Sequence, residues 1–240
     1  ITVFAMILAA DGMSTGLAAY NPEELDRYSW GDAKATAGNP FTSLKFRKAF
    51  AMSFDYDLFI DNVTNGYAER MEGVIPNGMF GHVDDLIDRG IIPSYNPDAA
   101  KALFEEVGWK GKVTLGYNAG NDVRKAGCLL LKSAIESMNV GIEIEVRELQ
   151  WPDYLSAVRS RSLPIFFLGW APDYADPDNY AAPFLHSTMG IYAPRINYAN
   201  PTVDSLIEQA ATESDPTTRV SLYKQIEEKA AADYPFINAY

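Results

Sequence analysis

Cysteine is almost absent from this 240-residue chain, in which Cys128 is the only one. A single thiol can form no internal disulfide and no multi-cysteine metal site. Cys128 lies in "AGCLLLKSAI", at the edge of an apolar helical face. We interpret it as an inert thiol in the core, a common place for a free cysteine. The cysteine content therefore does not indicate whether the protein works in an oxidising or a reducing compartment.

Basic residues are also scarce, with 20 Lys and Arg against 32 Asp and Glu and a net charge of −12. Proteins that bind nucleic acid concentrate Lys and Arg on one surface. No basic cluster occurs in the sequence. We therefore expect no nucleic-acid partner.

Long hydrophobic runs are missing, and no segment approaches the ~20 apolar residues needed to span a bilayer. The first ten residues, "ITVFAMILAA", are apolar but lack the basic flank of a signal peptide and begin with Ile. We interpret the chain as a fragment or a processed chain. Its 48% hydrophobic and 22% charged residues are ordinary for a soluble globular protein.

The remaining pattern is an alternation of helices and strands, which is typical of an α/β layer architecture. An apolar strand is predicted over 1–10 and a connection over 11–40, and 74–92 is irregular. Three more strands are predicted in "KVTLGYN", "IEIEVREL" and "LPIFFLGW". Helices are predicted in "TSLKFRKAFAMSF", "DYDLFIDNVTNG", "YNPDAAKALFEEVGW", "DVRKAGCLLLKSAIESMNVG", "DYLSAVRS", "NPTVDSLIEQAATE" and "DPTTRVSLYKQIEEKAAADYP".

One short string is typical of an enzyme. "GMSTG" matches the G-x-S-x-G nucleophile elbow around Ser14, and it follows an apolar strand. However, an Asn-Pro pair interrupts the helix that the elbow requires. The only histidines, His82 and His186, do not stand in a catalytic context. We expect no enzyme, and a serine hydrolase using Ser14 is the competing hypothesis.

The stretch "FFLGWAPDYADPDNY" places aromatic rings and carboxylates at the end of a predicted buried strand. Ligands of open α/β sheets bind at the carboxyl ends of strands, where Trp170 stands. An aromatic ring packs on a ligand at low entropy cost, and the nearby Asp173 carboxylate can anchor an ammonium group. The alternative is a core tryptophan followed by a polar turn.

The other carboxylates of this stretch have a simpler interpretation. Asp176 and Asp178 flank Pro177, and aspartates beside a proline favour turns by bonding nearby backbone amides. A calcium loop that opened at Asp173 would need a closing glutamate where Phe184 stands. We therefore expect no metal and no cofactor.

Several motifs in order resemble one family. They are "FRKAFAMSFDYDLFIDNVTNGYAERMEGVIPNG", "YNPDAAKALFEEVGW", "VGIEIEVRELQWPDYL", "GWAPDYADPDNY", "NPTVDSLIEQA" and "DPTTRVSLYKQIEEKAAADYPFI", spanning Phe46 to Ile237. The chain resembles the C-terminal lobe of an ABC-transporter extracellular solute-binding protein of family 5, the peptide- and nickel-binding family. The resemblance implies a lobe of the type II periplasmic-binding-protein fold, with a mixed sheet flanked by helices. Residues 1–40 would form an interlobe crossover strand and connection, and residues 41–240 the C-terminal ligand-binding lobe.

The resemblance also implies a site. In peptide binders of this family the aspartate of the G-W-x-x-D-Y string holds the peptide α-ammonium, and Asp173 occupies that position with Trp170 and Tyr174 as wall residues. Some oligopeptide binders carry a carboxylate-binding arginine three residues before the tryptophan, where this chain has Phe167.

The implied partners are a peptide or a related small solute and an ABC permease in the membrane. A periplasmic or extracellular monomer is expected, and a missing N-terminus would be the point of any lipoprotein anchor. A non-transport sensor or chaperone built on the same lobe is a further alternative.

Overall fold

The structure, a computed structural model, describes residues 3–8 and 39–240. Ser14 and most of the predicted 11–40 connection lie outside these residues. The strands are β1 (Val3–Leu8), β2 (Gly111–Asn118), β3 (Ile142–Leu149), β4 (Ile165–Trp170) and β5 (Phe236–Asn238). The helices are α1 (Leu44–Ser53), α2 (Tyr56–Asn62), α3 (Pro97–Val107), α4 (Asp122–Ser137), α5 (Trp151–Arg159), α6 (Asp178–Leu185), α7 (Pro201–Thr212) and α8 (Pro216–Ala232). None of the helices in these ranges is long and apolar enough to cross a membrane.

The five strands form one mixed sheet in the order β3-β2-β4-β1-β5. Strands β3, β2 and β4 are parallel to one another. Strand β1 lies antiparallel between β4 and β5. The predicted mixed sheet flanked by helices is confirmed, and the carboxyl ends of β2, β3 and β4 meet at one edge.

Helices cover both faces of this sheet, because the side chains of a strand alternate between its two sides. In β4, Phe166 and Leu168 pack on the face covered by α5, α6, α7 and α8. Ile165 and Phe167 pack on the opposite face, against α1, α3 and α4. A strand buried on both faces is continuously apolar, as "IFFL" is.

Local signals explain most helix ends. The Ser43 hydroxyl caps α1 by accepting the N–H of Phe46, and Asn96 caps α3 by accepting the N–H of Ala99. Helix α3 ends at Gly108, whose φ of +71° is the left-handed conformation that glycine adopts without strain. Both helices begin where the sequence predicts them.

Two predicted features need correction and two elements were missed. Helix α2 ends at Asn62 rather than near Gly66, and α5 begins earlier than "DYLSAVRS". Helix α6 and strand β5 were not predicted. Cys128 is buried, as predicted, and burial raises the pKa of its thiol.

Candidate functional site

The carboxyl edge of the sheet has an opening between two neighbouring strands. The register of β2 with β4 ends at the pair Gly116 and Phe166, although both strands continue. Beyond this point the hydroxyl of Tyr154, from α5, donates to the carbonyl of Phe167 at 2.8 Å. Helix α5 therefore supports the end of β4, the strand that carries Trp170.

Trp170 is half-buried, and its ring is fixed by contacts from α6 and the turn that follows it. The indole Nε1 donates to the main-chain carbonyl of Asn179 at 2.8 Å. The ring meets Phe184 and Tyr192 edge-on, with centroids 6.0 and 5.9 Å away. Trp170 is therefore held in a fixed orientation while part of its surface stays exposed.

Asp173 lies in the loop after β4 with an exposed side chain. Its main-chain N–H donates to Asn179 Oδ1 at 2.9 Å. Its carboxylate makes no hydrogen bond or ion pair with the residues that the structure describes. The carboxylate is therefore available to a cationic group, while the loop that carries it is held by Asn179.

Tyr174 is 52% exposed. Its hydroxyl donates to the Asp178 carboxylate at 2.9 Å, which joins the loop to the first turn of α6. This bond fixes the side chain of Tyr174 in the loop that follows β4.

Asp176 stabilises the turn more strongly than the sequence indicated. It accepts two hydrogen bonds from the Arg219 guanidinium, at 2.7 and 2.9 Å, and one from the N–H of Asp178. Burial alone would raise the pKa of Asp176, but the bonds from Arg219 lower it overall. Asp176 bonds a nearby backbone amide, as predicted, and also joins the turn to α8. Asp178 instead accepts the Tyr174 hydroxyl.

The histidines serve local structure. His82 Nδ1 lies 2.8 Å from the carbonyl of Ile75. The buried His186 accepts the N–H groups of Thr188 and Met189 at its Nδ1. Across residues 3–8 and 39–240, no three His, Cys, Asp or Glu side chains are grouped so that they could hold a metal.

Three residues near the predicted site were missed. Asn179 is buried and positions both Trp170 and Asp173. Met71 and Tyr180 form a small buried cluster with Trp170 packed against it. These residues reach the site only because α6 and the irregular segment pack against the end of β4. A local sequence pattern does not predict such packing.

A basic side chain also lies at this edge. Arg124, in the first turn of α4, is buried and donates to Asn118 Oδ1 at 2.6 Å. Burial lowers its pKa. In the sequence this arginine stands in the polar string "NDVRK", which gives no sign of burial.

The described geometry can be compared with known proteins. The profile of bacterial extracellular solute-binding proteins, family 5 Middle, matches residues 7–191, which is more than half of the chain. The chain belongs to this family. The resemblance stated from the motifs is therefore confirmed.

Relatives of this family 5 chain include the dipeptide-binding protein of Escherichia coli (strain K12), which is 25% identical over 229 residues. The oligopeptide-binding protein OppA of Bacillus subtilis (strain 168) is 27% identical over 204 residues. The alignments cover 91% and 80% of this chain but only 38% and 36% of those relatives. The family 5 chain thus spans less than half of their length.

Solved structures agree on the fold. The dipeptide-binding protein from Pseudoalteromonas sp. SM9913, in complex with Met-Leu, has a TM-score of 0.77 at 21% identity and matches 98% of this chain. AppA from Bacillus subtilis, in complex with a nonapeptide, has a TM-score of 0.73 at 19% identity and matches the whole chain. The match covers 42% and 44% of those chains. The type II binding-protein fold is confirmed.

Proposed function

We propose that this chain is the C-terminal ligand-binding lobe of a two-lobed solute-binding protein that delivers peptides to an ABC importer. Residues 41–240 are the lobe, and residues 1–40 are the crossover strand and connection. Relatives named for dipeptide and oligopeptide binding support the ligand class. The observation that carries the proposal is the exposed, unpaired carboxylate of Asp173 beside Trp170 and Tyr174 at the carboxyl edge of the sheet.

The proposed chemistry is recognition of a peptide α-ammonium by Asp173. A charge-assisted hydrogen bond of this kind is about twice as strong as a neutral one. It strengthens further when a second lobe closes over the ligand and excludes water, because the local dielectric constant falls. Trp170 and Tyr174 supply apolar walls, and an extended peptide satisfies its backbone groups by strand-like pairing.

The carboxylate of the peptide needs a different partner from the arginine found in some oligopeptide binders. Phe167 occupies that position and is buried in the core, where its ring lies 6.0 Å from that of Phe59. The side chain at this position therefore faces away from a ligand at the strand end. Length selection must come from elsewhere in the cleft.

Delivery of the peptide depends on hinge closure. The closed protein presents a different surface from the open protein, and the membrane permease can distinguish the two. We infer a monomer that works outside the cytoplasmic membrane, in the periplasm or anchored by an N-terminal lipid. Binding and release need no covalent chemistry, so Ser14 has no catalytic role in this proposal.

The test is calorimetry on the two-lobed protein with Met-Leu and tri-alanine, each with a free or an acetylated amine. Wild-type protein should prefer the free amine. Asp173→Asn should weaken binding by about 10- to 100-fold and remove the preference, because the ammonium loses its charged partner. The matched control is Asp88→Asn, an exposed carboxylate in the irregular segment. Unchanged affinity in Asp173→Asn would contradict the role of this residue, and no binding of either peptide would contradict the ligand class.

A further inference from the structure

The carboxylate of Glu227 is enclosed within the protein, at the point where α8 meets the segment 73–83. Its side chain is buried, with 1% of the residue exposed. Oε1 accepts the N–H groups of Val74 and Ile75 at 2.8 and 2.9 Å. A Cβ on Gly73 would overlap this carboxylate, so glycine leaves the space that it occupies.

The other oxygen of Glu227 has no such partner. Oε2 makes no hydrogen bond with the residues that the structure describes. His82 Nδ1 lies 3.8 Å away, beyond hydrogen-bond distance, and is only 2.8 Å from the Ile75 carbonyl. Burial raises the pKa of Glu227 to about 8, although the hydrogen bonds from the N–H groups of Ile75 and Val74 lower it.

Two more residues that line the same cavity carry buried, unpartnered atoms. The cavity has a volume of about 30 Å³, and its lining includes Glu227, Arg70 and Asn238. Arg70 Nε and Asn238 Oδ1 are buried and, like Glu227 Oε2, lack a hydrogen bond within the described part of the chain. A buried polar group left unpaired costs about 1–3 kcal/mol, so three such groups on the residues that line one cavity require an explanation.

The chemistry of these atoms matches water. A site for one water needs roughly 10–15 Å³ and two to four polar partners. Burial keeps the Glu227 carboxyl protonated below about pH 8, and Oε1 already accepts two N–H groups, so Oε2 carries the proton and is a donor to a water. Arg70 Nε is a second donor to the water oxygen, and Asn238 Oδ1 is an acceptor for one of its protons. A metal cation fits less well because the Arg70 guanidinium, which stacks 3.6 Å from the Tyr56 ring centroid, adds positive charge to the lining.

We propose that this cavity is a binding site for internal water, which joins Glu227 of α8, Asn238 of β5 and Arg70 of the irregular segment. Met71, next to Arg70, packs with Tyr180 in the cluster that contacts Trp170. By holding Arg70, the bound water would stabilise the neighbouring Met71, on which Trp170 of the candidate ligand site packs. The contacts all lie inside this chain, so the inference does not depend on peptide binding.

A crystal structure of the two-lobed protein at about 1.5 Å resolution tests the proposal directly. A water should lie within hydrogen-bond distance of Glu227 Oε2, Asn238 Oδ1 and Arg70 Nε. An empty cavity, or direct hydrogen bonds among these three atoms, would overturn it. So would an ion with oxygen contacts of about 2.0–2.6 Å, which are the distances of magnesium and calcium.

Oxygen-17 magnetic relaxation dispersion provides a second measurement, since it counts long-lived internal waters in solution. Glu227→Met removes the carboxyl group that binds the water and fills the space, so the count should fall relative to wild type. Glu228→Met, at the neighbouring half-exposed position, is the matched control and should leave the count unchanged. If Glu227→Met does not fold, Asn238→Leu replaces it. An equal count in wild type and in the folded variant would overturn the proposal.

Discussion

One buried residue, Asn179, positions the other residues of the candidate site. Its carbonyl groups bond the Trp170 indole and the main chain of Asp173. The sequence could nominate Trp170 and Asp173 because they follow an apolar strand, and strand ends carry ligands. It could not nominate Asn179, whose role exists only after α6 folds back on β4.

We predict that Asn179→Ala lowers peptide affinity while the fold is retained. The Asp173 N–H loses its acceptor, at a cost of about 1–3 kcal/mol in the free energy of unfolding. The main-chain carbonyl at position 179 still accepts from Trp170, so tryptophan fluorescence should change little. Asn62→Ala, an exposed amide at the end of α2, is the control. Calorimetry and thermal unfolding measure the two effects, and wild-type affinity in Asn179→Ala would contradict the positioning role.

A second prediction concerns Glu227 and pH. Its pKa rises from an ordinary 4.5 to about 8 on folding, chiefly through burial. Between these values the folded protein holds a proton that the unfolded chain has lost, so stability falls as pH rises from about 4.5 to 8. The slope is at most about 1.4 kcal/mol per pH unit. The charged or titratable groups near this carboxyl are His82 and Glu72, and Arg70 lines the same cavity.

Glu227→Gln should flatten this pH dependence because its amide does not titrate. Denaturant unfolding at several pH values from 4.5 to 8, compared with wild type, measures the difference. Glu228→Gln should keep the wild-type slope. Parallel curves for wild type and Glu227→Gln would show that the Glu227 carboxyl does not take up a proton in this range.

Among the secondary-structure elements, short capping signals were sufficient to predict most helices from the sequence. The remaining elements form through packing against other parts of the chain. Helix α3 lies between a capping Asn96 and a left-handed Gly108, both visible in the sequence. Helix α6 contains Pro183, which favours a break in a helix. It forms nevertheless, because Tyr180 and Phe184 stand four residues apart on one face and bury against other elements. Strand β5 has three residues, too few for a periodic signal.

One ion pair connects helix α8 to the loop before α6. In it, Arg219 of α8 donates two hydrogen bonds to Asp176 of the loop. We predict that Arg219→Lys lowers the free energy of unfolding by about 1 kcal/mol, since lysine cannot make the bidentate contact. The pKa of Asp176 is lowered by this partner. The stabilisation is therefore present above the ordinary value of 3.8 and is lost as pH falls through the lower folded value.

Thermal unfolding at pH 7 and at a series of pH values below 3.8 measures this effect. The difference between wild type and Arg219→Lys should shrink as Asp176 takes up a proton. Arg89→Lys is the matched control, because Arg89 pairs with Asp85 and Glu228 on the surface. A difference that stays constant with pH would assign the role of Arg219 to its contacts with the Phe80 and Tyr223 rings instead.

At the scale of the whole molecule, the α/β class followed from the order of helices and strands, but the order of strands within the sheet did not. Strand β1 lies between β4 and β5, which are both more than 150 residues away in sequence. Such pairing depends on which long-range contacts bury the most apolar surface, and local patterns carry no record of it. The family resemblance supplied the mixed sheet but not the order of its strands.

The remaining prediction concerns the missing half of the proposed clamp. The chain spans about 40% of the solved structures that it resembles, so a ligand at its carboxyl edge would leave one side open to water. Asp173 is exposed here, and an exposed ion pair contributes about 0–1 kcal/mol. We therefore expect the 240-residue chain to bind Met-Leu at least about 100-fold more weakly than the two-lobed protein, a difference of ~2.8 kcal/mol. Calorimetry on both proteins measures this, and equal affinities would mean that the lobe forms a complete site without closure.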